Sequence, residues 1–554
     1  LGIVASTLSA TFLPFSSLTA LLLLPTATVS IWYWSLSVRG TLPSLLLLWL
    51  AFVPATLAWS LSPGLSLPQA AVLLCLPLGW LAGSALGQRG QLSGLLNYLL
   101  PAMLLALLIW GLLQGPNTLT GKPQGPFNDP NTYAAVLNLL SLPLLARYLA
   151  EDLSIAPRWL RTSQLALMAG TAFLLFLVSS RGATLAILPA LVPVLWMARN
   201  QLQFRRKLLL LASVATVTYV AALAASGGLS SVAQRLANTV QGGDPSRIML
   251  LQSAWLMIQE HPWFGTGLGT FRMLYPQYRY LDETGTGGGW VHNDYLQLWL
   301  EAGLPMFLLM LGLVLWVARA VWRTIRQGGR EALLRMGYLA GIAAILLHAL
   351  VNFLFFFSLV SLLVGLYLAR VGRPDEPAKA PIHLHQQSGS GNNRAMWLAT
   401  GGYTFLLGHL LLGQVAVEGF LGEAHWIQRT LFKWQIVYPR YQVAHWISIL
   451  APFHPAPHQI MGLELSDGFF LNGSTDEGIR DEALKRMEDA RKRAPCYLPY
   501  ANDALAVVQP LVNGNSLMES LRSRGQLIVV RNLGCNARHG LSYYHAGGLA
   551  RTDA

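Results

Sequence analysis

Arg181, Arg247 and His292 are the residues of this sequence best suited to do chemistry. A guanidinium keeps its charge at any physiological pH and grips phosphate oxygens in pairs. Several of them around one point suit a pyrophosphate. An imidazole accepts a proton from an attacking hydroxyl near neutral pH. Arg181 follows two serines in the tight turn SSRGA at 179–183. Alone, it also reads as a side chain snorkelling at a membrane interface. Arg247 lies in DPSR, where Asp244 offers a simple ion pair. His292 opens HNDYLQLWLEAGLP, where Asn293 or Asp294 suits the cap of the following helix. Glu301, nine residues on, lies more than two helical turns away and is expected to hold a helix or loop backbone.

Other groups are less suited. His348 and Asn352 stand four apart in an apolar run and are expected to share a helix face and hydrogen-bond inside a bundle. Gly265, Gly267 and Gly269 in HPWFGTGLGTF invite a nucleotide-loop reading. No strand precedes them and no P-loop lysine follows, so a tight loop is expected instead. No carboxylate pair suits a metal-bound nucleotide sugar, and no spaced Cys/His set suggests zinc. His383 and His385 lack a partner at ligand spacing. No cofactor is expected. A transferase built from this set needs a donor that is already activated.

The elements that position these residues follow from composition. The chain has 554 residues, of which 11% are charged and 53% hydrophobic. A soluble globular domain carries roughly 25% charged residues. An ordinary soluble enzyme is thereby excluded, and so is a disordered chain. Apolar stretches of spanning length are expected near 1–15, 18–37, 42–61, 68–86, 95–114, 131–148, 163–180, 183–198, 208–226, 303–320, 336–352, 354–370 and 395–415. The first two merge if Pro14 and Pro25 do not separate them, which gives 12 or 13 spans. The fold class expected is all-α: a polytopic membrane helix bundle with a long loop and a small helical C-terminal domain on its outer face, the side that the resemblance given below makes periplasmic.

The net charge of +13 does not call for nucleic acid. Residues 1–415 hold 24 Lys and Arg, and 18 of them fall in one alternating set of loops, which makes that set cytoplasmic. The other six are Lys122, Arg181, Arg235, Arg247, Arg272 and Arg279, on the opposite side. That side also receives 115–130, the loop 227–302 and the tail after 415. The expected units are a catalytic bundle over 1–370, a cytoplasmic linker over 371–394, a last span over 395–415 and a tail over 416–554. Within the tail, 476–494 reads as an amphipathic helix with Ala483, Met487 and Ala490 on one face, followed by a second helix near 499–511. The pair is similar to one tetratricopeptide-type unit. Cys496 and Cys535 would join in an oxidising compartment if they lie close together.

Together these motifs identify a family. GPFNDPNTYA with Asn128 and Asn131, SSRGA with Arg181, DPSR followed by EHPWFGTGLGTFRMLYPQY, and above all HNDYLQLWLEAGLP resemble the O-antigen ligase and O-antigen polymerase superfamily, which includes the bacterial protein O-oligosaccharyltransferases. The likeness covers roughly 115–370. The ligase pattern is met at His292, Asn293 and Gly303, but Met306 stands where a second glycine belongs.

The resemblance implies transfer of a preassembled glycan from undecaprenyl pyrophosphate to a hydroxyl on the periplasmic side of the bacterial inner membrane, without a metal. It implies that Arg181 and Arg247 bind the pyrophosphate and that His292 activates the acceptor. Lys122, Asn128, Asn131, Arg272, Arg279, Asn293 and Glu301 become candidates for substrate binding. Partners would be the lipid-linked donor, membrane lipids and an acceptor. Three acceptors are open: the lipid A core for a ligase, another glycan for a polymerase, and Ser or Thr of a protein such as pilin. The helical tail favours the protein. A transporter or flippase of an anionic lipid-linked substrate is the alternative from another class, and it calls for charge at mid-membrane depth.

Overall fold

Long apolar runs must satisfy their backbone within one segment if they enter lipid, and helices do so. The computed structural model describes residues 17–25, 40–88, 90–115, 121–127, 129–152, 157–225, 245–280, 288–372, 390–421, 439–471 and 477–494. Among them there is no strand. The order is α1 (Thr41–Ala55), α2 (Pro63–Gln88), α3 (Gln91–Gln114), α4 (Pro130–Ala150), α5 (Arg158–Val178), α6 (Arg181–Ala198) and α7 (Phe204–Ala225). After the loop come α8 (Pro245–Glu260), α9 (Phe271–Tyr278), α10 (Asp294–Gln327), α11 (Gly329–His348), α12 (Ser358–Val371) and α13 (Ser390–Ala416). The tail adds α14 (Arg440–Leu450), α15 (Ala456–Leu471) and α16 (Glu477–Arg493).

Ten of the described helices are long and apolar enough to cross a membrane. The expected span 1–15 and most of 18–37 lie outside the described residues, as do 373–389, Cys496, Cys535 and the helix expected near 499–511. Two spans differ from expectation. The helix expected over 336–352 runs from Gly329 to His348, and the one expected over 354–370 is only Ser358–Val371, 14 residues long. At about 1.5 Å per residue such a helix reaches about two thirds of a hydrocarbon core. The missing length is the segment 349–357, which is non-helical and largely buried in the bundle. From Asn352 to Phe357 it is buried by protein, as irregular backbone at membrane depth requires, while Leu350 and Val351 are exposed. Asn352 accordingly does not share a helix face with His348: it sits in the irregular segment.

The centre of the bundle is α2, α4, α11 and α12, with α12 packed along α2 and α11 along α4. Tyr133, Tyr148, Tyr367, Phe355 and Phe356 are fully buried there. Helices α3, α6 and α7 instead expose Leu105, Leu113, Leu188, Val192, Val217 and Val220 outward, as lipid-facing surfaces do. In the tail, α16 buries Ala483, Met487 and Ala490, the expected face, against α15.

α10 bends where the sequence places Gly303. Its φ of 80° is left-handed, and a Cβ there would lie 2.2 Å from the Trp263 carbonyl oxygen. Only glycine fits such a site without strain. The loop 265–269 wedges against this bend: Gly267 donates its N–H to the Glu301 carbonyl at 2.8 Å. HPWFGTGLGTF is thus a tight loop against α10. Met306, where the ligase pattern has its second glycine, is fully buried in the core.

Candidate active site

Three helix N-termini meet at one end of the bundle, each capped by its own sequence. Asp129 caps α4: its carboxylate accepts the Asn131 N–H at 3.2 Å and the Thr132 N–H at 2.8 Å, with Pro130 at the first helical position. Ser180 caps α6 and accepts the Ala183 N–H at 3.3 Å. Asn293 caps α10 and accepts the Leu296 N–H at 3.0 Å.

The caps are also tied to one another. The Ser180 hydroxyl donates to Asn131 Oδ1 at 2.8 Å, which holds the SSRGA turn against the start of α4. Ser179, in the left-handed region with φ of 50°, lets α5 end and α6 begin without an intervening loop, and so fixes Arg181 at the first residue of α6.

The irregular segment 349–357 is the hub. Asn293 Nδ2 donates to the Leu350 carbonyl at 3.0 Å. The Asp294 N–H donates to the Ala349 carbonyl at 2.9 Å, and its Oδ2 accepts the N–H groups of Leu354 and Phe355 at 2.8 and 3.0 Å. Asn352 Nδ2 donates to Asp129 Oδ2 at 3.3 Å. Arg247 Nη1, from α8, reaches the Val351 carbonyl at 3.5 Å. The His292 ring meets the Phe353 ring edge-on, centroids 5.0 Å apart. Its backbone is left-handed, φ 58°. A non-glycine residue held there costs on the order of 1–3 kcal/mol, and such strain concentrates at functional sites.

Arg247, His292 and Asn293 therefore converge on one segment, and Asn131 holds the turn that carries Arg181 and Gly182 beside it. His348 joins them from the end of α11: its ring is packed against Gly182, and Asp129 and Arg247 lie within electrostatic reach. It is buried, and its Nδ1 has no hydrogen-bond partner among the described residues. Arg181 is exposed at the surface of this cluster and Arg247 half-buried. The arrangement places two arginines and two histidines beside three capped helix N-termini at one end of the bundle. Helix N-termini and guanidinium groups both favour anions.

Five other candidates do not join this cluster among the described residues. Glu301 is buried, and its carboxylate accepts the N–H groups of Gly269 at 2.8 Å and Phe271 at 3.2 Å and the Gln297 amide at 3.2 Å. It holds the start of α9 and the glycine loop, as its spacing from His292 predicts. Arg272 lies near Glu301 and His454 of the tail. The Arg279 guanidinium stands 5.8 Å above the Tyr275 ring. Lys122 lies in the described stretch 121–127, and Asn128 outside the described residues. Asp129, Ser180 and Asp294 are the residues that sequence reasoning did not single out as organisers. The Asp-Pro pair at 129–130 carried a capping signal, but nothing local marks the carboxylate of Asp294 as the anchor of a segment sixty residues away.

The tail abuts this layer. Ala494 is buried among Leu65, Leu250, Met257, Phe271 and Leu300, and the Ser62 hydroxyl donates to the Arg493 carbonyl at 2.7 Å. His454 and His458 are buried in the tail. Burial pushes His454 down to about 3 and His458 to about 4, with Arg272 and Arg493 respectively adding to the effect.

No curated protein matches the chain. Residues 166–311, from within α5 to the first part of α10, match the family model described as O-antigen ligase. That stretch contains Arg181, Arg247, Arg272, Arg279, His292, Asn293 and Glu301, while Lys122, Asn131 and His348 fall outside it. The match supports an O-antigen ligase-type family of membrane glycosyltransferases, on a quarter of a chain with ten helices long and apolar enough to cross a membrane among the described residues.

Proposed function

We propose that the chain moves a preassembled glycan from undecaprenyl pyrophosphate to a hydroxyl on the periplasmic face of a bacterial inner membrane, and that the hydroxyl belongs to Ser or Thr of a protein such as a pilin. The observation that supports the transfer is the convergence of Arg247 and His292 on the segment 349–357, with Arg181 next in the chain to Gly182, which packs against His348 and Val351.

In this reading the two guanidinium groups hold the pyrophosphate. The acceptor oxygen forms a bond to the anomeric carbon while the bond from that carbon to the phosphate oxygen breaks. The departing electron pair leaves with undecaprenyl pyrophosphate, whose charge Arg181 and Arg247 stabilise. The acceptor proton passes to His292. Asn131 and Asn293 position the turn and the imidazole. Lys122, Arg272 and Arg279 are outer contacts for phosphate or sugar. A transporter would carry its charges at mid-depth, whereas this set lies at helix ends.

The protein acceptor is supported by α14–α16, which pack beside the site through Ala494 and Ser62 and offer a helical surface of the kind that binds polypeptides. A second reading, transfer to the lipid A core, is favoured by the family match itself. Mass spectrometry of pilin-like proteins and of lipopolysaccharide from a deletion strain separates them. Loss of sugar from the protein with intact lipopolysaccharide is the expected result. The reverse loss assigns the lipid A core.

A further inference from the structure

A cavity of about 340 Å³ lies at the opposite end of the bundle from the site described above. It is lined by Arg147, Arg330, Arg370, Glu151, Glu331 and Tyr338, with an apolar wall that includes Leu96 and Leu144. The distance from the active-site cluster follows from α4. That helix starts at the cap Asp129 and ends 21 residues later beside Arg147 and Glu151, about 30 Å away at 1.5 Å per residue. α11 repeats the pattern, with His348 at one end and the cavity at the other.

Chemistry and position together define a ligand. Three arginines face two carboxylates, an excess of one positive charge. Glu151 Oε1 already accepts from Arg147 at 3.0 Å and from Gln164 at 3.3 Å, and Arg330 reaches Glu331 at 3.4 Å. The guanidinium groups of Arg147 and Arg370 both lie within electrostatic reach of the Tyr338 hydroxyl. A lining with more guanidinium groups than carboxylates suits a singly charged group with several acceptor oxygens, and a phosphodiester has that form. The wall supplied by α3 is lipid-facing on its other side, where Tyr98 is 81% exposed and Leu105 50% exposed. Leu96, Leu100 and Leu144 close the cavity from below and are themselves buried in the core.

We propose that this cavity binds the headgroup of an anionic glycerophospholipid, with the phosphodiester among Arg147, Arg330, Arg370 and Tyr338 and the acyl chains outside it, along the exposed face of α3 at Tyr98 and Leu105. Basic pockets between helices at the end rich in Lys and Arg are a physical match for anionic headgroups. The proposal is independent of the acceptor and of the transfer chemistry.

The test uses the full chain in neutral detergent. Binding of phosphatidylglycerol, of phosphatidylethanolamine and of inorganic phosphate is followed through the midpoint of thermal unfolding. Phosphatidylglycerol should raise the midpoint, while phosphatidylethanolamine and phosphate leave it in place. The variant R330Q/R370Q should weaken the lipid's apparent affinity by about tenfold or more, the loss of one to two charge-assisted contacts. If the double variant does not fold, R330Q alone serves, since its side chain is 59% exposed. Equal stabilisation by inorganic phosphate overturns the lipid assignment, and so does an undiminished response to phosphatidylglycerol in the variants.

Discussion

Asn352 Nδ2 donates to Asp129 Oδ2 at 3.3 Å and so joins an irregular buried segment to the cap of α4, 223 residues earlier in the chain. The carboxylate has a double duty. It satisfies the first amide groups of α4 and it fixes the segment on which Arg247, Asn293 and His292 also converge. The site is therefore assembled around backbone that has no helix of its own, and its integrity depends on a few polar side chains.

Asp294 is the strongest of those supports. Its Oδ2 accepts the Leu354 and Phe355 N–H groups, and its Oδ1 is buried without a hydrogen-bond partner among the described residues. Asp294→Ala leaves two buried amides unsatisfied, at a cost of about 1–3 kcal/mol each. The expected outcome is a lower unfolding midpoint, with hydrogen exchange rising first over 349–357. Unchanged exchange in that segment would refute its anchoring role.

Gly303 should tolerate no side chain. Gly303→Ala places a Cβ 2.2 Å from the Trp263 carbonyl oxygen and 2.6 Å from Phe264 Cα, on a backbone with φ of 80°. A left-handed alanine alone costs on the order of 1–3 kcal/mol, and the clash adds to it. Expression in the membrane should fall, and any protein recovered should unfold at lower temperature. A neighbouring substitution on the lipid face, Leu308→Ala, should have a small effect, because Leu308 is 52% exposed.

Acid should loosen the tail before the bundle. His454 and His458 are held neutral by burial, down from an ordinary 6.5. An unfolded tail takes up these protons below about pH 6.5, and the folded tail does not until about 4 or lower. The stabilisation is thus complete above pH 6.5 and is lost as pH falls toward 4. Hydrogen-exchange protection over 456–471, corrected for the intrinsic pH dependence of exchange, should fall between pH 7.5 and 5 more than over α2. Equal protection at both values would contradict this.

Much of this was legible in the sequence, and the limits have physical causes. Apolar length marks spans, because lipid demands helices of a given reach. Capping chemistry marks Asn293. The 3.6-residue period marks the buried face of α16. The break after His348 was invisible: ALVNFLFFF is as apolar as the helices beside it and holds neither Gly nor Pro. What unwinds it is tertiary, namely Asp294 and Asn293 competing for its backbone groups. His348 and Asn352 for that reason read as one helix face. Charge and spacing mark Arg181, Arg247 and His292, but the hub that joins Arg247 to His292 is not legible, since its contacts span up to 104 residues of chain for Arg247 alone.

The central claim is that the cluster around 349–357 carries glycan transfer. Full-length chain reconstituted in lipid, with an undecaprenyl-pyrophosphate-linked glycan and an acceptor hydroxyl, gives the direct measurement. His292→Ala should slow transfer about 10²-fold or more, the usual contribution of a proton acceptor. Arg247→Ala should slow it by a similar factor, and Arg247→Lys, which keeps the charge and loses the planar fork, should recover only part. All three proteins should insert and unfold like the parent. Parental transfer rates in both alanine variants would contradict the account.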